Sequence, residues 1–304
     1  MKIGVIGSGA VGGFYGAMLR KAGHEVIFLA RGRHLQAMRE NGLRVIADFA
    51  SFQVNGTFTD SLKSVSMAEL LLFTVKSTDT RETAAALSPL LKADSFVLTL
   101  QNGVDNEEVL AEVFGRERVL SGAAYLSSHI EQPGVIRQQG PYSIIMGALA
   151  PSAGERAAAV QEMFQASGIE CRLSKSILAR KWNKLLWNVT FNPLSAAAKA
   201  TVGEILDCQD LRSTAERVLQ EAVQIGRACG VEISQQVIDR IFPGAEQVRH
   251  HKTSMLQDRE SGKKMEIESL CGFFVRKSAA LRMEVPALQT LYGILKSIEA
   301  KEVS

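Results

Sequence analysis

A six-residue turn near the start of the chain restricts its fold more than any other feature. Gly7-Ser8-Gly9-Ala10-Val11-Gly12 follows the apolar run Lys2-Ile3-Gly4-Val5-Ile6 and precedes helical spacing over residues 12–22. Strand, glycine turn and helix in that order make the opening of a βαβ unit. Gly7 permits the tight turn. Gly9 lets the backbone approach a pyrophosphate with no Cβ in the way, and Gly12 lets the helix lie close on the strand. The start of the helix then offers unpaired N–H groups and a positive dipole end to phosphate. Gly7, Ser8, Gly9, Ala10, Val11 and Gly12 are therefore the expected nucleotide contacts.

The rest of the first half continues this alternation. Apolar runs over 2–6, 25–30, 70–75 and 96–100 predict buried strands, with helices over 12–22, 33–41 and 80–91 between them. Strands alternating with helices imply a parallel sheet with right-handed crossovers. Shorter strands over 43–47, 123–130, 135–139, 142–146 and 170–173, with turns at Gln132-Pro133-Gly134 and Gly140-Pro141, predict an antiparallel extension. After residue 173 strand signals nearly vanish. Helices are expected over 177–200, 211–229, 234–241, 254–260, 266–281 and 286–300, with Gly230 closing one and Pro286 opening another. The reading is α/β: an N-terminal Rossmann-type doubly wound domain over 1–173, then an all-α, substrate-binding domain over 174–304.

Composition fits two soluble domains: 304 residues, 46% hydrophobic and 22% charged. A net charge of +3 is too balanced to predict nucleic-acid or membrane-surface partners, and no apolar run is long enough to span a bilayer. The N-terminus reads as a strand entering a glycine turn and not as a signal peptide. Cys171, Cys208, Cys229 and Cys271 are scattered, which predicts reduced thiols in a cytoplasmic protein and no metal site.

The end of the second strand bears on cofactor choice. An NAD site usually carries Asp or Glu there for the ribose 2′-hydroxyl. This strand ends in Arg31, with Arg33 and His34 beyond. A guanidinium pairs with a 2′-phosphate through charge-assisted hydrogen bonds, so NADP (as NADPH) is expected over NAD. Lys76 and Asn102 close the next two strands, at the carboxyl edge where open α/β sheets bind ligands.

In the helical half, Lys184, Asn188 and Asn192 recur at intervals of four. At about 100° per residue they share one helix face. Pro193 is expected to bend or end that helix. A cation and two amides in line suit a small anionic, oxygen-rich molecule, although an isolated stripe of this kind is as readily a solvated surface. Ser254 lies 12 residues before Glu266, at the start of another predicted helix, where an acid is otherwise a dipole partner.

Taken together, these residues resemble the ketopantoate reductase (2-dehydropantoate 2-reductase) family over essentially the whole chain. The resemblance is carried by the glycine turn, Arg31, Thr74-Val75-Lys76, Gln101-Asn102-Gly103, the run from Lys184 through Asn188 and Asn192 to Pro193-Leu194, Ser254-Met255-Leu256-Gln257-Asp258, and Glu266-Ile267-Glu268. It implies NADPH-dependent reduction of the ketone of 2-dehydropantoate to pantoate, a step of pantothenate and coenzyme A synthesis. It implies Lys184 as general acid and Glu266 as the acidic partner at the substrate's hydroxyl end. Asn102, Asn188, Asn192 and Ser254 are implied as substrate contacts, and Lys76 as a lysine near cofactor and reacting centre.

Two other readings stay open on the residues alone. One is an NADP-dependent reductase of another small 2-oxo or 3-hydroxy acid. The other is a non-catalytic NADP-binding redox sensor, which has no need of Lys184, Asn188, Asn192 and Glu266 together. The apolar faces of the C-terminal helices serve a homodimer or a core equally well. His250 and His251 read as surface or hinge residues.

Overall fold

A computed structural model describes residues 1–302. The chain divides into two compact units, one comprising Met1–Asn102 and Asn106–Leu178, the other Gly103–Asp105 and the chain from Ala179 onward.

The first unit follows the chain order β1 (Lys2–Ile6), α1 (Ala10–Lys21), β2 (Glu25–Leu29), α2 (Gly32–Asn41), β3 (Leu43–Ala47), β4 (Ala50–Val54), β5 (Thr57–Thr59), β6 (Leu70–Phe73), α3 (Thr80–Leu87), β7 (Phe96–Thr99), α4 (Asn106–Phe114), β8 (Val119–Gln132), β9 (Val135–Ala148), α5 (Gly154–Ala166) and β10 (Glu170–Leu173). These ten strands form one sheet in the order β4-β3-β9-β8-β7-β6-β1-β2-β5, with β10 on β9. From β7 to β5 neighbouring strands are parallel, with Ile3 of β1 opposite both Val26 and Leu70. Ile3, Val5, Leu70 and Leu72 point into one apolar layer, and Ile6, Leu71 and Phe73 into another on the opposite face. A sheet covered on both faces explains why these strands read as unbroken apolar runs. This is a Rossmann-type doubly wound architecture.

The expected antiparallel extension is only partly antiparallel: β8 and β9 form one long hairpin and β3 pairs antiparallel with β4, but β3 and β10 both lie parallel to β9. The turn expected at Gly140-Pro141 is absent: β9 runs through it, and the pairing steps from Leu126–Tyr142 to Ser127–Gln139, so that Gly140 and Pro141 bulge out. Proline has no N–H for the ladder and Gly140 has φ +70, so a bulge accommodates both without ending the strand. Strands β4 and β5 and helices α4 and α5 were not expected. Helix α4 was obscured by its acidic surface, although Leu110 and Phe114 are buried at helical spacing.

The second unit contains α6 (Ile177–Ala198, beginning in the first unit), α7 (Val202–Asp207), α8 (Gln209–Ala228), α9 (Gln235–Asp239), α10 (Ile241–Glu246), α11 (Ser254–Glu260), α12 (Phe273–Leu281) and α13 (Pro286–Glu302). Its core joins Leu185, Leu186 and Val189 of α6 to Ala215, Val218 and Leu219 of α8. Trp182 meets Phe273 edge-on at 5.6 Å.

Pro193 does not end α6, which continues through it to Ala198. Phe191 and Leu194 are buried on either side of the proline, and that burial outweighs the missing backbone hydrogen bond. The helix expected over 266–281 opens instead as a π-turn, Glu268–Gly272, two residues past Glu266. Among the described residues no helix is long and apolar enough to cross a membrane.

Candidate active site

The glycine turn joins β1 to α1 at the carboxyl edge of the sheet, where β2 and β6 flank β1 on opposite sides. This reversal of winding is the place where such sheets bind ligands. The turn is fixed by backbone bonds from the Gly7 and Ser8 N–H groups to the Leu29 carbonyl, at 3.3 and 2.8 Å. Gly7 has φ +97, and a Cβ there would stand 2.8 Å from the Val75 nitrogen, so no other residue fits. Thr74 donates to the Gly7 carbonyl at 2.8 Å, and a Cβ on Gly12 would collide with that hydroxyl. A Cβ on Gly9, by contrast, would meet nothing within 4 Å.

Gly9 is the N-cap of α1 and no side chain caps it. The Ser8 hydroxyl is buried without a hydrogen-bond partner. An open, uncapped helix start beside an orphaned hydroxyl fits a phosphate-bearing dinucleotide.

Around this turn, Arg31 lies two residues beyond β2 as the N-cap of α2. Its side chain is 81% exposed and its Nη2 lies 2.7 Å from Oδ2 of Asp79. Asp79 belongs to the turn after β6, where its N–H bonds to the Lys76 carbonyl at 2.9 Å. Asn102 follows β7 and is held by a buried relay. Thr99 donates to Gln101 (2.9 Å), Gln101 to Thr80 (2.7 Å), Thr80 to Asn106 (2.8 Å), and the Asn106 amide to the Asn102 carbonyl (2.8 Å). Each group in the chain has its partner, and such networks specify one geometry.

In the second unit, Lys184, Asn188 and Asn192 lie along α6. Asn188 and Asn192 are buried and Lys184 half-buried. Ser254 begins α11, whose N-cap Thr253 accepts from the Leu256 N–H. Its hydroxyl lies 3.5 Å from Nδ2 of Asn192, while Oδ1 of Asn192 is buried without a partner. Glu266 is within electrostatic range of Lys184.

Desolvation is the largest influence on the Lys184 ammonium, and Lys181 adds like-charge repulsion. Glu266 acts in the opposite sense, and the balance leaves the pKa lowered to about 8. The π-turn after Glu266 is gripped through Glu268, whose carboxylate accepts from Tyr292 (2.9 Å), Lys296 (3.2 Å) and Arg276 (2.8 Å). Burial works to raise the Glu268 carboxyl, but these bonds and charges outweigh it and hold it below the usual range.

The structure thus gathers the expected residues into two groups. Gly7 to Gly12, Arg31, Lys76 and Asn102 lie at the sheet edge of the first unit. Lys184, Asn188, Asn192, Ser254 and Glu266 belong to the second. Sequence reading missed Lys181, which is only 4% exposed. Its signal was present: three residues before Lys184 and eleven before Asn192, it falls on the same helix face. Thr80 and Asn106 were missed, and Gln101 was given no role of its own, because the side-chain bonds that link them span 21 and 26 residues. Of the histidines left open, His250 is exposed, whereas His251 is half-buried with its ring 5.9 Å from that of Trp187. Burial pushes the Cys171 and Cys271 thiols up to about 12, far from a reactive thiolate.

Comparison with known proteins places the chain in a family. Residues 3–151 match the ketopantoate reductase PanE/ApbA family, and residues 176–299 match that family's C-terminal region. A 2-dehydropantoate 2-reductase from Halobacterium salinarum is 32% identical, covering 97% of this chain and 98% of its own. One from Pyrococcus abyssi is 30% identical, covering 99% of each. The crystal structure of a PanE/ApbA family ketopantoate reductase from Ralstonia eutropha superposes with a TM-score of 0.93 at 34% identity, covering all of both chains. The chain therefore belongs to the ketopantoate reductase family and is an oxidoreductase.

Proposed function

We propose that this protein reduces the ketone of 2-dehydropantoate to pantoate with NADPH, and that Lys184 is the general acid. The reading rests chiefly on one observation: on a helix otherwise committed to an apolar core, Lys184 sits with buried Asn188 and Asn192 and in electrostatic contact with Glu266. Buried polar groups are costly unless they are hydrogen-bonded, and Oδ1 of Asn192 has no partner among the described residues, which favours a bound ligand there.

The bound dinucleotide supplies the hydride. The chain's own residues do the rest. The glycine turn takes the pyrophosphate, and Arg31 takes the 2′-phosphate. Arg31's bond to Asp79 is an exposed ion pair worth about 0–1 kcal/mol, so it yields readily to a dianion. Asn188, Asn192 and Ser254 offer donors and acceptors to a carboxylate, a ketone and a hydroxyl. Asn102, held by its relay, adds an amide. The orphaned Oδ1 of Asn192 fits a substrate hydroxyl as donor. As charge develops on the ketone oxygen, the Lys184 ammonium stabilises it and delivers the proton from Nζ. Glu266 holds the substrate's hydroxyl end and keeps Lys184 charged. NADPH oxidation assayed with 2-dehydropantoate beside other branched 2-oxo acids tests the assignment. Preference for another acid would keep the chemistry and reassign the substrate. Inertness to all of them would overturn it.

Three results should follow from the electrostatics. The kcat/KM for reduction should fall as pH rises through about 8, because the proton-donating ammonium is lost there. Lys181→Met removes a like charge and should move that alkaline limb upward. Glu266→Gln removes the supporting carboxylate, so it should move the limb downward and raise the KM for the keto acid about tenfold. Profiles of kcat/KM against pH check all three, and a limb that stays in place in both variants would detach Lys184 from proton transfer.

A further inference from the structure

His34 lies in the first turn of α2, three residues past Arg31, and nothing above gives it a role. Its ring joins two distant backbone segments. Nδ1 accepts from the Gly134 N–H at 3.1 Å, and Nε2 lies 3.0 Å from the Ser8 carbonyl oxygen. A neutral imidazole carries one proton. Because Gly134 requires a lone pair on Nδ1, the proton is on Nε2, which donates to Ser8. Gly134 is itself fixed: it has φ +78 in the turn between β8 and β9, and its carbonyl accepts from the Arg44 N–H at 2.9 Å.

The Ser8 carbonyl shares a planar trans peptide with the Gly9 N–H, and in such a unit the two groups point in opposite directions. Tying the carbonyl back to His34 therefore turns the Gly9 N–H to the other side of the turn. Gly9 is the residue whose Cβ position is open, and Ser8 carries the orphaned buried hydroxyl.

We propose that His34 is a positioning residue for the nucleotide: it locks the Ser8–Gly9 peptide so that the Gly9 N–H is presented to the pyrophosphate. This rests on the dinucleotide reading above and adds to it a residue that touches no ligand itself. It also separates two neighbours in sequence, since Arg31 serves the 2′-phosphate and His34 the pyrophosphate.

The test compares full-length wild type with His34→Ala, His34→Phe and His34→Gln. The probes are NADPH, NADH and adenosine 2′-monophosphate, which has a 2′-phosphate but no pyrophosphate. Dissociation constants are read by nucleotide fluorescence for the first two and by competition with NADPH for the third. His34→Ala and His34→Phe should weaken NADPH and NADH equally, by about tenfold, and leave the monophosphate within about twofold. His34→Gln, whose amide can donate to Ser8 and accept from Gly134, should recover most of the loss. Should His34→Ala fail to fold, the Phe and Gln variants carry the same comparison. Unchanged dinucleotide affinity, or monophosphate binding lost in parallel, overturns the proposal. Wild type that binds neither dinucleotide overturns the reading beneath it, and does so before any variant is made.

Discussion

Lys184→Ala is expected to lower kcat for ketone reduction at least a hundredfold, within the roughly 10²–10⁴ range that general-acid groups supply. The substitution removes both the charge that stabilises the developing oxyanion and the proton that quenches it. Neither Asn188 nor Asn192 can replace it, because an amide does not release a proton near neutral pH. NADPH affinity should stay close to wild type, since the glycine turn and Arg31 belong to the first unit and Lys184 to the second. Lys184→Met keeps most of the side-chain volume on α6 and should give the same loss, which separates chemistry from packing. Steady-state rates and a nucleotide titration on each variant check the split. Near-normal turnover in either would remove the proposed mechanism altogether.

Arg31→Ala should raise the KM for NADPH about 10- to 100-fold while changing that for NADH less than threefold. A hydrogen-bonded pair between a guanidinium and a phosphate contributes about 1.5–3 kcal/mol, and each 1.4 kcal/mol is a factor of ten. NADH has no group for this side chain to hold. The variant also leaves the Asp79 carboxylate without its ion pair, and its uncompensated charge would repel a 2′-phosphate further. The two nucleotides assayed side by side decide the point: equal losses would show that Arg31 only supports the turn.

The glycine turn was legible because its requirements are local. Gly7 must have positive φ and Gly12 must lack a Cβ, and both follow from a strand turning into a helix within six residues. The polar stripe of α6 was legible for the same reason, since helical periodicity puts Lys184, Asn188 and Asn192 on one face without knowledge of anything else. The failures were non-local. Gly140-Pro141 looked like a turn, yet the partner strand β8 continued past it and absorbed the pair as a bulge. Pro193 was expected to bend or end its helix, and the core around Phe191 and Leu194 kept the helix from ending there.

Residue order alone was enough to establish a Rossmann-type half, a helical half and the family resemblance, because turn chemistry and periodicity act over a few neighbouring positions. Folding had to settle the rest. Asp79 reaches Arg31 across 48 residues, His34 reaches Gly134 across 100, and Lys181 becomes a buried charge beside Lys184 only once α6 is packed. Hydrogen bonds and charges act over a few ångströms in space, whatever the distance along the chain, and burial determines how strongly each one counts.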